Sequence, residues 1–163
     1  MEPFQYIGRY FWAICLVIAV IHYLKAERNA KANSVGTPEH NELGKHYRRI
    51  VAIFSVTPWL IMGLGQLAGS TPNVWYYFRP QDGNPFVVAW VGFIIAQSVV
   101  FAIWVFAAEG ARKVRDFDLM SVAGMRTQKP MSEIAIKLIA AGGPVFVAFW
   151  VYLVMSSNLS IPR

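Results

Sequence analysis

Carboxylates are what this chain lacks most sharply where its sequence is apolar. Four long runs, at about 4–24, 49–68, 86–108 and 134–155, contain neither aspartate nor glutamate. A charge at the centre of a bilayer is costly and is kept where ion or proton transfer uses it. The absence argues against a carboxylate-coupled antiporter. Cysteine is equally scarce, with Cys15 in the first run standing alone. A single thiol cannot close an intrachain disulfide, which excludes a dithiol oxidoreductase built on cysteine pairs. Cys15 reads as a small packing residue. No nucleophile elbow, catalytic carboxylate pair or phosphate-binding glycine loop is present either. Gly63 and Gly65 sit too deep in an apolar helix to bind phosphate, since their amides are tied up in helical bonds. The sequence offers no catalytic residue and points away from an enzyme.

Charge is thin overall. Of the 163 residues 15% are charged and 56% are hydrophobic, where a soluble domain is roughly a quarter charged. One domain's length of chain cannot hide four such runs in a soluble globule. The expected fold is all-α: a single polytopic membrane domain of four transmembrane helices in an up-down bundle. The net charge of +6 and the pI near 9.7 do not indicate nucleic acid, because the basic residues flank the apolar runs, where topology accounts for them. The partners to expect are the lipid bilayer and other membrane subunits, or a second copy. No nucleic acid is expected.

The first run could be mistaken for a cleavable signal, with a core at 10–24 and Ala30-Lys31-Ala32 as a small-x-small site. Its charge order argues otherwise: Arg9 precedes the core, whereas Lys25, Arg28 and Lys31 follow it. The core alone reaches about 22 Å, short of a hydrocarbon layer of about 30 Å. Including 4–9, with Arg9 snorkelling to the interface, closes the gap. Tyr6, Tyr10, Phe11 and Trp12 then form an aromatic belt. Beyond the membrane, good helix formers and a Glu27/Lys31 pair predict that the helix emerges a turn or two, until Ser34-Val35-Gly36-Thr37-Pro38 ends it.

Sidedness follows from the fifteen Lys and Arg. Twelve belong to the loops at 25–48 and 109–133 with their flanking Arg49 and Lys137; Arg9, Arg79 and Arg163 lie on the other side. The positive-inside rule places both loops in the cytoplasm and both termini outside, as in a multi-pass protein of a bacterial inner membrane. A duplication of the two helical hairpins is a weaker pattern, resting on Ala26-Glu27…Lys31 against Ala108-Glu109…Lys113 and on Pro58 against Pro144. Ala-Glu-x-x-x-Lys is also a common way for a helix to leave a membrane.

Polar and special residues inside the spans are few. Pro58 and Pro144 should kink helices 2 and 4, because proline removes a donor and its ring clashes with the preceding turn. Ser55 and Thr57 can help satisfy the freed carbonyls. Gly142-Gly143-Pro144 should make the fourth span flexible or broken. Gly65-x-x-x-Gly69 offers a small-residue face for helix packing. Gln66 and Gln97 either line a polar path or, more simply, hydrogen-bond between helices, worth about 0.6 to 2 kcal/mol each.

His22 and His46 fall on one side of the membrane, so a shared haem is geometrically conceivable, but no local motif accompanies them. No cofactor is expected. Glu39-His40-Asn41-Glu42…His46 matches no standard metal spacing and reads as a solvated loop.

The loop at 69–85 is the most distinctive surface. Trp75, Tyr76, Tyr77 and Phe78 run consecutively and end on Arg79. They read as an interfacial anchor or as a docking surface for a partner or a quinone or pigment ring, with Arg79 as polar anchor. Three functions are open: an accessory or assembly subunit of a larger membrane complex, a small dimeric transporter or channel, and a haem- or quinone-associated redox protein.

Overall fold

The computed structural model describes residues 3–32, 37–125 and 131–156, with side chains from Tyr6 onward. Six α-helices account for most of it: α1 (Pro3–Ala32), α2 (Pro38–Leu67), α3 (Pro85–Ala107), α4 (Gly110–Asp116), α5 (Leu119–Val122) and α6 (Glu133–Ser156). No strand occurs among the described residues. Four helices, α1, α2, α3 and α6, are long and apolar enough to cross a membrane. The protein is all-helical, with four membrane-spanning candidates.

Both basic connections between long helices hold more helix than the charge pattern suggests. The basic loop expected at 25–48 is mostly helix, because α1 runs to Ala32 and α2 starts at Pro38. Thr37 caps α2 by accepting from the His40 amide at 3.3 Å, and Pro38 occupies the first turn, where its missing N–H costs nothing. Ser34, Val35 and Gly36 lie outside the described residues. The second basic loop carries α4 and α5, joined by left-handed residues at Glu109 (φ 53°) and Asp118 (φ 47°). Its Arg126 and Lys129, like Arg163, lie outside the described residues.

Helices α2 and α6 continue unbroken through Pro58 and Pro144. Ser55 and Thr57 donate to the carbonyls of Val51 (2.8 Å) and Ile53 (2.7 Å). The carbonyl that Pro58 strips of its helical donor is that of Phe54, so neither hydroxyl replaces the missing bond directly.

Contacts pair the helices in sequence order: α1 packs on α2, α2 on α3, and α3 on α6. Neighbours run antiparallel. Gly8 and Trp12 of α1 meet Trp75 and Gly63 beyond and near the end of α2, while Glu27 meets Arg48 near its start. Tyr47 of α2 likewise meets Trp104 near the end of α3, and Trp150 near the end of α6 meets Trp90 near the start of α3. Helices α1 and α6 are not a packed pair among the described residues. Two clusters fill the interior. One, at the aromatic-loop end, joins Met62, Val74, Tyr77 and Val87. The other, at the basic end, seats α4 and α5 against α3 and α6 through Val105, Val114, Leu119, Met120 and Ile136.

Candidate functional site

The loop after α2 is built from its own turn chemistry. Gly69, at φ 71°, ends the helix: its amide bonds the Gln66 carbonyl at 3.0 Å and that of Ser70 bonds Gly65 at 3.0 Å. This is the double bond pattern by which a left-handed glycine closes a helix. Gly69 therefore terminates α2, with open space around its α-carbon. Asn73 then accepts from the Trp75 amide at 3.0 Å and starts a 3-10 turn over Val74–Phe78. With three residues per turn, Val74 and Tyr77 fall on one side. Both are buried, and Tyr77 is 0% exposed.

Tyr77 pins the loop. Its hydroxyl donates to the Met62 carbonyl at 3.1 Å and lies 3.3 Å from Thr71 Oγ1, and its ring meets Trp90 edge-on at 5.5 Å. Gly65 makes the room: a β-carbon there would collide with the Tyr77 hydroxyl, Phe86 Cβ and Thr71 Oγ1. The small face of Gly65 thus receives a loop side chain and the start of α3. Burial pushes the Tyr77 phenol up from its ordinary range, against the opposing hydrogen bond to Thr71. It stays neutral until well into alkaline pH.

Trp75, Tyr76, Phe78 and Arg79 remain half-buried. Trp75 leans on Gly8 of α1, and Phe78 meets Trp150 of α6 at 6.1 Å. Arg79 bonds Asp82 through Nη2 at 3.0 Å, while its Nε is buried without a partner. Asn84 ties the far side of the loop to the Ser70 carbonyl at 2.7 Å and caps α3 through the Phe86 amide. The four side chains form a fixed lip spanning α1, α3 and α6.

At the opposite end lies a polar crevice of about 610 Å³ between α1, α2 and α5. Arg48, 8% exposed, donates through Nε to Glu27 at 2.7 Å. Glu27 therefore pairs across helices, where sequence spacing suggested Lys31. Gly44, one turn before Arg48, is filled on its open side by the Phe117 ring. Outside this crevice, Arg115 reaches Asp116 (2.8 Å) and Glu133 (2.7 Å) and ties α4 to α6. The hydrogen bond that Arg115 donates to Asp116, with the charges of both carboxylates, raises the Arg115 pKa further.

A second cavity, about 590 Å³ and largely apolar, opens between α2, α3 and α6 above α5. Gln97 and Gly143 both line it, and a β-carbon at Gly143 would meet nothing within 4 Å. Gln97 Oε1 is buried without a hydrogen-bond partner, as are both amide atoms of Gln66. Gly142 has open space as well.

The two histidines have separate surroundings: His22 packs against Gly124, whereas His46 is exposed beside Tyr47. Glu39, His40, Asn41 and Glu42 sit in the first turns of α2, and no group of three metal-capable side chains gathers among the described residues.

Sequence reasoning missed three contacts: Tyr77 in the Gly65 niche, Trp12 against Gly63, and the Glu27–Arg48 pair. The one available signal was glycine spacing. Gly44 and Gly63 each precede or sit beside a large group that needs their missing side chain. No protein-family model, curated protein or solved structure matches this chain.

Proposed function

We propose that this is a non-catalytic accessory or assembly subunit of a larger membrane complex, docking through the lip formed by Trp75, Tyr76, Phe78 and Arg79. The observation that carries the reading is the set of hydrogen bonds that holds the lip's loop. A loop pinned by Tyr77, Asn73 and Asn84 presents aromatic area and a guanidinium with little ordering left to lose on binding. Aromatic residues with arginine are the side chains that dominate interface energetics. In this reading the four long helices form an up-down bundle kinked at Pro58 and Pro144. It sits in a bacterial inner-type membrane, with both termini and the lip outside the cytoplasm.

The test is a gentle-detergent pull-down of the tagged protein from its native membrane, compared with a Tyr76→Ala/Arg79→Ala variant. Trp75 is spared because it also packs on α1. Partners recovered at near-equal stoichiometry with the native chain and lost with the variant, at unchanged thermal stability, are the expected result. Unchanged recovery removes the lip from the interface. A second reading, a small dimeric transporter, draws on the unpartnered amide of Gln66 and the unpartnered Oε1 of Gln97. Substituting either by leucine would damage a polar path and leave a scaffold nearly intact.

A further inference from the structure

The cavity between α2, α3 and α6 is incomplete in a particular way. Its walls are aromatic and aliphatic, with Phe54, Phe101 and Trp104 among them, and Tyr47 closes it toward the basic end. The Tyr47 ring stacks on Phe117 at 5.6 Å and leans on Trp104 at 5.9 Å, while Leu119 and Met120 of α5 form the floor. Its mouth faces sideways, where the lining residues Val100 (52% exposed) and Ile139 (38%) stand on the outer faces of α3 and α6. An occupant therefore comes from the hydrocarbon layer.

Besides Tyr47 and Trp104, which carry an O–H and an N–H, three polar side chains line this cavity, and each offers an oxygen acceptor. The hydroxyl protons of Ser55 and Ser98 are already donated to the carbonyls of Val51 and Ile95, each at 2.8 Å, leaving their oxygen lone pairs. Gln97 Oε1 has no donor at all. A buried acceptor without a donor is costly, more so where water is scarce. The missing piece is a donor carried on an apolar body.

We infer that this cavity binds a lipid-soluble ring compound bearing a hydroxyl group, of the phenol or hydroquinone class, with its O–H donated to Gln97 Oε1. The volume suits that class: small-molecule pockets run from about 300 to 1,000 Å³ and combine apolar lining with a few placed polar groups. An acyl chain fills the space but leaves the amide oxygen unmet. The flat aromatic walls favour a ring, which packs against them by stacking and edge contacts. The inference is independent of the docking lip, which lies at the other end of α3.

The full chain in lipid nanodiscs, titrated with a decyl-substituted hydroquinone, provides the test. Tryptophan quenching should contain a saturable component that Trp104→Phe removes. Gln97→Leu should weaken it about tenfold, the effect of one buried hydrogen bond, and so should the dimethyl ether of the same probe, which lacks the donor. Gly143→Leu projects a side chain into the cavity from a position whose β-carbon would meet nothing within 4 Å; it should abolish saturable quenching and leave thermal stability equal or higher. Quenching that rises linearly with probe overturns the site, as does saturable binding that survives Gly143→Leu. Equal affinity for the hydroquinone and its ether, or for native and Gln97→Leu protein, overturns the assignment of the donor.

Discussion

Tyr77 shows how one side chain can set the character of a loop. Its hydroxyl closes on the Met62 carbonyl and Thr71, and its ring fills the niche that Gly65 leaves. Tyr77→Phe keeps the ring and removes the bond, so unfolding in detergent should show a loss of about 1 kcal/mol. Gly65→Ala should cost more, because the added methyl meets the hydroxyl directly. The Glu27–Arg48 pair is the second point of concentrated cost. Arg48→Ala strands a carboxylate that is 14% exposed, and removing one partner of a buried pair costs about 3 kcal/mol or more. Glu27→Gln combined with Arg48→Met should recover much of that loss, and comparing the single and double variants by thermal unfolding checks it. Neither contact was legible in the sequence. Four consecutive aromatics look like one surface until the three-residue turn that divides them is known, and Arg48 looks like one more member of a basic cluster.

Among the helices, what the sequence did show was existence and length. Uncharged runs of sufficient span located all four long helices, because nothing else can satisfy a backbone in lipid except a helix or closed barrel. Their ends were less legible. Helices α1 and α2 carry the basic residues on solvent-side extensions, where hydropathy sees only polarity. Gly65-x-x-x-Gly69 looked like one packing face, yet its two glycines do different work. Gly65 admits a side chain, while Gly69 adopts the left-handed turn that ends α2. Gly69→Ala should therefore cost about 1 kcal/mol through backbone strain and not through packing. The close approach of α1 to α2 occurs at Gly63, beneath the Trp12 ring. Gly63→Val should force the two helices apart, read as a lower unfolding midpoint and as lost quenching between probes at the ends of α1 and α2.

For the whole molecule, orientation is the prediction that the charge distribution carries. In a Cys15→Ala background, Asp82→Cys should react with a membrane-impermeant thiol reagent from outside intact cells. Glu42→Cys should react only after the membrane is opened. The reverse pattern would invert the topology drawn from the positive-inside rule. Function was far less legible than the four long helices. The groups that define the two candidate sites, a pinned lip and an unmet amide oxygen, are products of how helices meet, and a linear pattern does not encode which helices meet.

The sequential pairing of α1 with α2, α2 with α3 and α3 with α6 bears on how the chain is made. A protein whose long helices pack, among the described residues, chiefly on their neighbours along the chain has no need to wait for its last helix before it begins to assemble. Helices settle first as independent spans and then associate. The α1–α2 hairpin already contains Trp12 against Gly63 and Glu27 against Arg48 at its two ends. It can lock in the bilayer while α3 is still in the ribosome. The emergence of Tyr77 then secures the end of α2, through Met62 and Gly65, before the next helix arrives.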